Sequence, residues 1–239
     1  MNHLIVQDFE RYGKVAFNSK LDCNVHAYLY EGAKLVGKEG MPLLKNNKNV
    51  DIPNGFISIK KIIKGDYTQE DKKKFIHFFE YDQEFNQFLY DIRSNMSVIQ
   101  QFAGVVGPDC TMLSGDAPII KKLQVFYSRA VTFYLQKHGI PVLILARWCD
   151  IESLDYALDG IPENSVICVS TYGAIKYKFQ RENFRHGLLQ LIEKKKPVKI
   201  IVYGRFNKLI FQGLPKNLFI NIPSDLDIAF NRGEIKIWE

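Results

Sequence analysis

From residue 74 onward the chain alternates short, nearly continuous apolar runs with longer stretches in which apolar side chains recur every three or four positions. The runs "KFIHFFEYD" (74–82), "AGVVGPD" (103–109), "IPVLILARW" (140–148), "SVICVSTYG" (165–173), "VKIIVYG" (198–204) and "LFINIP" (218–223) have strand length and are rich in β-branched and aromatic residues. Between the first two, Phe85, Phe88, Leu89, Ile92, Met96 and Ile99 form one stripe and predict a helix over 84–101. A second helix is predicted after Asp116, a candidate cap, with Pro118 in its first turn and Ile119, Leu123, Phe126, Ala130, Phe133 and Tyr134 on its buried face; His138-Gly139 closes it. A short helix fits 153–158. Another over 182–194 carries Phe184, Leu188, Leu191 and Ile192, and Pro197 stops it.

Apolar strands separated by amphipathic helices indicate a parallel sheet covered by helices, so the expected class is α/β, built from repeated strand-helix units. Nearly every predicted strand ends in polar or aromatic chemistry. That favours a barrel-like arrangement, an incomplete TIM type in which the ends face a common mouth, over an open doubly wound sheet. The first 73 residues read differently. "NVHAYLY" (24–30) and "FISIKKIIK" (56–64) resemble strands, but glycines, prolines and asparagines punctuate the interval between them. The expected division is an irregular, strand-containing region 1–73 packed on an α/β domain 74–239.

A composition of 46% hydrophobic and 24% charged residues is that of a globular protein with a large core, and no apolar stretch is long enough to span a membrane. The opening "MNHLIVQDFERYGK" lacks the apolar core of a signal peptide. Cys23, Cys110, Cys149 and Cys168 form no Cys-x-x-Cys pair and suit free thiols in a reducing compartment, so a cytoplasmic protein is expected. The formal charge of +6 leans toward anionic partners. The lysine clusters at 60, 61 and 64, at 72–74 and at 194–196 flank predicted element boundaries, where solvated charge is ordinary.

Candidate chemistry gathers at the predicted strand ends. Asp109 directly follows a buried strand, where a carboxylate can exchange a proton, hold a metal or cap a turn, and Thr111 stands beside it. Asp150, one strand further on, is the natural second acid, with Glu152 placed to serve the dipole of a helix. Asp109 and Asp150 together are the candidate catalytic pair, able to hold Mg²⁺ against a phosphate because hard cations prefer oxygen ligands. Arg147 and Trp148 suit a planar anion, though neighbouring strand residues point to opposite faces. Ser170, Thr171 and Tyr203 complete the candidate ligand-binding set. His77, between aromatics, is expected as a hydrogen-bonded core residue. Zinc at Cys110 and Cys149 would need two further ligands that the sequence does not nominate. There is no P-loop, no G-x-G-x-x-G after a strand, and no acid-x-Lys on "IPVLILARW" to complete a Pro-Asp nuclease pattern.

The blocks "FIHFFEYDQEFNQFLYDIRSNMSVIQQFAGVVGPDCTML", "HGIPVLILARW", "DGIPENSVICVSTYGAI" and "PVKIIVYG" resemble, over 74–204, the family known as domain of unknown function 4417. Members carry Pro-Asp-Phe-Ser where this chain has Pro108-Asp109-Cys110-Thr111, so the carboxylate and a hydroxyl are retained. The resemblance implies a phage or mobile-element setting in a bacterial host and transfers no catalytic residue. Two functions are then expected. One is an accessory protein whose strand-end pocket binds, and acts on, a nucleotide, nucleic acid or other phosphorylated anion. The alternative is a non-catalytic host-interaction protein, such as an inhibitor or sponge of an anti-phage defence system. A DNA-binding replication accessory has only the lysine clusters behind it.

Overall fold

A computed structural model describes residues 26–230 in full, together with the short strands Val6–Gln7, Lys14–Val15 and Lys236–Ile237. Cys23, the start of "NVHAYLY" and most of the first fourteen residues lie outside the described residues.

Seven strands lie side by side in chain order, every neighbouring pair parallel: β1 Phe56–Ser58, β2 Phe75–His77, β3 Gly104–Val106, β4 Val142–Leu145, β5 Val166–Ser170, β6 Lys199–Tyr203 and β7 Phe219–Ile222. An eighth, β8 Lys236–Ile237, pairs antiparallel with β7. The connections carry α1 Ile59–Lys64, α2 Asp82–Tyr90, α3 Ile92–Ile99, α4 Pro118–Lys137, α5 Leu154–Ala157, α6 Lys178–Lys195 and α7 Lys208–Phe211, and α8 Asp225–Ala229 follows β7.

Side-chain alternation sorts the core into two layers. Outward residues Ile76, Val105 and Val142 pack on Phe85, Leu89, Ile92, Val131 and Leu135, while Ile144, Ile167, Val169, Ile200 and Val202 pack on Phe184, Leu188 and Leu191 of α6. Inward residues, among them Phe75, Val106, Leu143, Leu145, Cys168, Ile201, Tyr203 and Ile222, meet one another with no helix residue in their cluster. A doubly wound sheet would have helices on this face too. Instead the sheet curls until the Tyr203 ring of β6 stands 5.8 Å from Phe56 of β1 and stacks at 4.3 Å on Phe79, just past β2. β1 and β7 share no ladder, so the barrel does not close and the sheet is an open half-barrel.

The segment before β1 braces the opposite end of the sheet. The Asn47 amide donates to the carbonyls of Val142 and Val166 and accepts from the Val166 N–H, all at 2.9 Å, bridging β4 and β5. Arg129 of α4, 2% exposed, donates to the carbonyls of Leu145 (2.9 Å), Ala157 (2.7 Å) and Asp159 (3.2 Å), locking helix, strand and α5 together.

Some elements differ from expectation. "FISIKKIIK" is a strand and a helix joined at Ser58, whose hydroxyl accepts from the Lys60 N–H as an N-cap; it pairs with β2, so the parallel sheet begins upstream of residue 74. Residues 27–30 form a 3₁₀ turn instead of a strand. The helix expected over 84–101 breaks at Asp91, because the Asp91 carboxylate takes the Ser94 hydroxyl and the Asn95 side chain takes the Phe88 carbonyl, both in competition with the helical ladder. Asp116 accepts from the Leu113 N–H, and Ala117 stands at the N-cap of α4 instead.

Candidate functional site

The carboxyl ends of β2 to β7 open on one side of the half-barrel, and most of the chemistry singled out in the sequence lies there. After β3, Pro108 is held by Ser128, whose hydroxyl donates to its carbonyl at 2.7 Å. Asp109 follows, with Oδ2 3.5 Å from Arg147 Nη1 beyond β4. Asp109 Oδ1 and Arg147 Nε are buried and have no protein partner. Burial pushes the Asp109 carboxyl above its usual range; Arg147 opposes this, Asp82 adds to it, and His77 opposes it. A carboxylate kept costly in this way is a common property of sites that do chemistry.

Arg147 and Trp148, just past the end of β4, point apart. Trp148 lies in the helix-facing core, where its Nε1–H donates to the Asn183 carbonyl at 3.2 Å and its ring tilts on Phe184. Gly187 of α6 makes the approach possible, since a Cβ there would stand 2.2 Å from the indole. Asp150 does not join Asp109. Its carboxylate receives Lys121 Nζ at 2.5 Å and the Ser153 N–H at 2.8 Å, and these hold it below the usual carboxylate range against the upward pull of burial. Thr111 donates its hydroxyl to Asp82 at 2.6 Å. Among the described residues, no three His, Cys, Asp or Glu side chains gather as a metal cluster.

His77 is buried among Phe56, Phe79 and Tyr203. Its Nδ1 accepts from the Phe79 N–H at 3.1 Å, which leaves Nε2 facing Asp225 Oδ2 of α8 at 3.9 Å, across the unclosed edge of the sheet. The Tyr203 hydroxyl accepts from the Asp225 N–H at 3.3 Å. Burial pushes the Tyr203 and Tyr172 hydroxyls up, and the carboxylates of Asp225 and Glu80 push the same way, so both rings face acids from α8 and from the loop after β2.

Beyond β5, β6 and β7 the loops enclose a cleft of about 550 Å³, lined by Thr171, Tyr172, Lys176, Arg205, Asn207 and Ser224 among others. Thr171 shapes its floor by donating to the carbonyls of Tyr203 (3.1 Å) and Arg205 (2.9 Å), and Ser170 Oγ accepts from the Tyr172 N–H. Gly173 sits at φ +70°, a left-handed conformation that favours glycine. Asp227 is buried, with one oxygen accepting from the Ser224 hydroxyl (2.6 Å) and the other from Arg205 Nε (2.9 Å), so Arg205 is aimed while its side chain stays 66% exposed. Arg205 has a weak sequence signal, its place directly after a strand and Gly204. Asp227 has none, because it lies past the last predicted strand and reaches the site only through α8.

The chain is 28% identical over 141 residues to the Gene 1 protein of Mycobacterium phage L5, an alignment covering 59% of this chain and 62% of that protein. It is also 28% identical over 141 residues to the Gene 1 protein of Mycobacterium phage D29, covering 52% of that protein. It thus spans between half and two thirds of these curated phage relatives. No solved structure matches it significantly. The profile of the family described as Domain of unknown function (DUF4417) matches residues 33–221, which takes in β1 to β6, all of β7 but its last residue, and most of the strand-end cleft. The chain therefore belongs to the phage-associated DUF4417 family.

Proposed function

We propose that this protein binds a small phosphorylated anion, of nucleotide size, in the cleft at the carboxyl ends of β5, β6 and β7. The observation that carries the proposal is Arg205, held through Nε by the buried Asp227 with its terminal nitrogens left for a ligand. A guanidinium fixed in this way offers a planar fork to phosphate without losing rotamer freedom on binding. Lys176 adds a second cation, Asn207 and Ser224 supply polar groups, and Tyr172 and Phe206 give apolar walls for a base. The volume falls within the roughly 300–1,000 Å³ of ordinary small-molecule sites. It also lies where α/β folds with parallel strands place their ligands. Asp109 and Arg147, on the same side of the sheet, are the groups available to act on what is bound.

Calorimetric titration with nucleoside monophosphates, diphosphates and inorganic phosphate at low ionic strength tests this. Binding that Arg205→Ala weakens at least about tenfold is expected, given the strength of charge-assisted bonds. No binding, or binding that Arg205→Ala leaves intact, removes the proposal. A protein partner is the rival, favoured by Ile119, Ile120 and Leu123, which stand exposed on the first turns of α4.

A further inference from the structure

The cleft does not end abruptly. The loop that forms its wall runs into the start of α6 through residues 171–181, eleven positions that contain three cations, three aromatics and no acid. The aromatics are not core residues: Tyr172 is 42% exposed, Tyr177 52% and Phe179 54%. Tyr177 and Phe179 lie with ring planes 5° apart and centroids 6.0 Å apart, and Lys176 Nζ stands 5.3 Å from the Tyr177 ring. The surface is held in place. Gln180 accepts from the Tyr177 N–H at 3.0 Å, and Arg181 Nη1 donates to the carbonyls of Ile175 (3.1 Å) and Lys176 (2.9 Å). Lys178 pairs with Glu182 only at 3.8 Å and in open solvent, a contact worth little.

Ordered, exposed rings cost solvation without a ligand. Rings alternating with lysines beside a phosphate-sized cleft match one polymer in particular, because a single-stranded nucleic acid presents both base faces for stacking and phosphates for the cations. A duplex hides its base faces and offers only the charge. We propose that Tyr177 and Phe179, with Lys176 and Lys178, form a track for single-stranded nucleic acid that delivers a terminal nucleotide to the cleft, a proposal that rests on the cleft being a phosphate site.

The test is fluorescence anisotropy of the full chain with a labelled fifteen-nucleotide oligothymidylate and with a duplex of equal length, beside mononucleotide calorimetry. The single strand is expected to bind at least about tenfold more tightly than the duplex. With Lys176, Lys178 and Arg205 engaged, affinity should fall with salt at a log–log slope of about −2. The double variant Tyr177→Ala/Phe179→Ala, checked by circular dichroism and melting for an intact fold, should lose roughly tenfold or more in oligonucleotide affinity while its mononucleotide affinity is unchanged. Equal binding of duplex and single strand, or full oligonucleotide affinity in the double variant, overturns the track. Mononucleotide binding without oligonucleotide binding overturns the track and leaves the cleft standing; absence of both overturns both.

Discussion

Replacing Arg129 by methionine exchanges a buried, forked cation for an apolar side chain of similar length. Two effects of known sign then compete. Relief comes from removing a guanidinium that burial disfavours: its pKa is held down to about 10, below the ordinary arginine value, with nearby Asp159 opposing the fall, and that shift corresponds to about 3 kcal/mol. Loss comes from three charge-assisted bonds, to the carbonyls of Leu145, Ala157 and Asp159. At roughly 1.5–3 kcal/mol each they sum to about 5–9 kcal/mol. The loss wins, and a net destabilisation of about 2–6 kcal/mol is expected. For a chain of this size that lowers Tm by roughly 10 °C. Arg129→Lys keeps the charge but cannot reach three divergent carbonyls, and it should fall between the wild type and Arg129→Met. Urea denaturation followed by far-UV circular dichroism measures both. An Arg129→Met protein within about 1 kcal/mol of wild type would show that these carbonyls do not depend on the guanidinium, and would refute the reasoning.

Asp109→Asn should leave the protein at least as stable at pH 7, because the raised carboxyl makes its charged form a cost to the fold. As pH falls below the raised folded value toward the ordinary 3.9, the wild type takes up its proton and the two proteins should converge; a loss above about 2 kcal/mol at pH 7 would make the Arg147 pair structural instead. Asp150→Ala should lower Tm by several degrees at pH 7, with part of the loss recovered in Asp150→Ala/Lys121→Met. Since the Asp150 carboxyl is depressed, the stability it supplies is present above about pH 3.9 and is lost as pH falls through its lower folded value, which melting from pH 7 to pH 3 follows. Gly187→Ala forces a methyl against the Trp148 indole and should cost about 1–3 kcal/mol with a shift in tryptophan emission. Burial pushes the thiols of Cys110 and Cys168 well above the usual range, so among the three cysteines of the described residues, site-resolved alkylation of the native protein at pH 8 should mark Cys149 first and these two only on unfolding.

The sequence by itself determined the elements whose cause is local. Six of the seven parallel strands fall inside runs legible as apolar, because a strand buried on both faces needs apolar residues at consecutive positions. Alternation along the third run separated Arg147 from Trp148, and the strand-end rule placed Asp109 at the open side of the sheet beside Arg147. Tertiary structure decided what depends on partners far along the chain. Two short-range features also escape the hydrophobic period: the Ser58 hydroxyl caps α1 and turns a strand-like run into strand plus helix, and Asp91 breaks a continuous stripe by local bonds. Asp150 is equally well placed in sequence to meet Asp109, yet Lys121, 29 residues earlier, takes it. Arg205 is held at the mouth only because α8 carries Asp227 back to it. Whether the sheet closes was likewise beyond local pattern: curvature and register accumulate over seven strands, and at the last edge β8 pairs with β7, leaving β1 unpaired on its outer side among the described residues and His77 facing Asp225 across the opening.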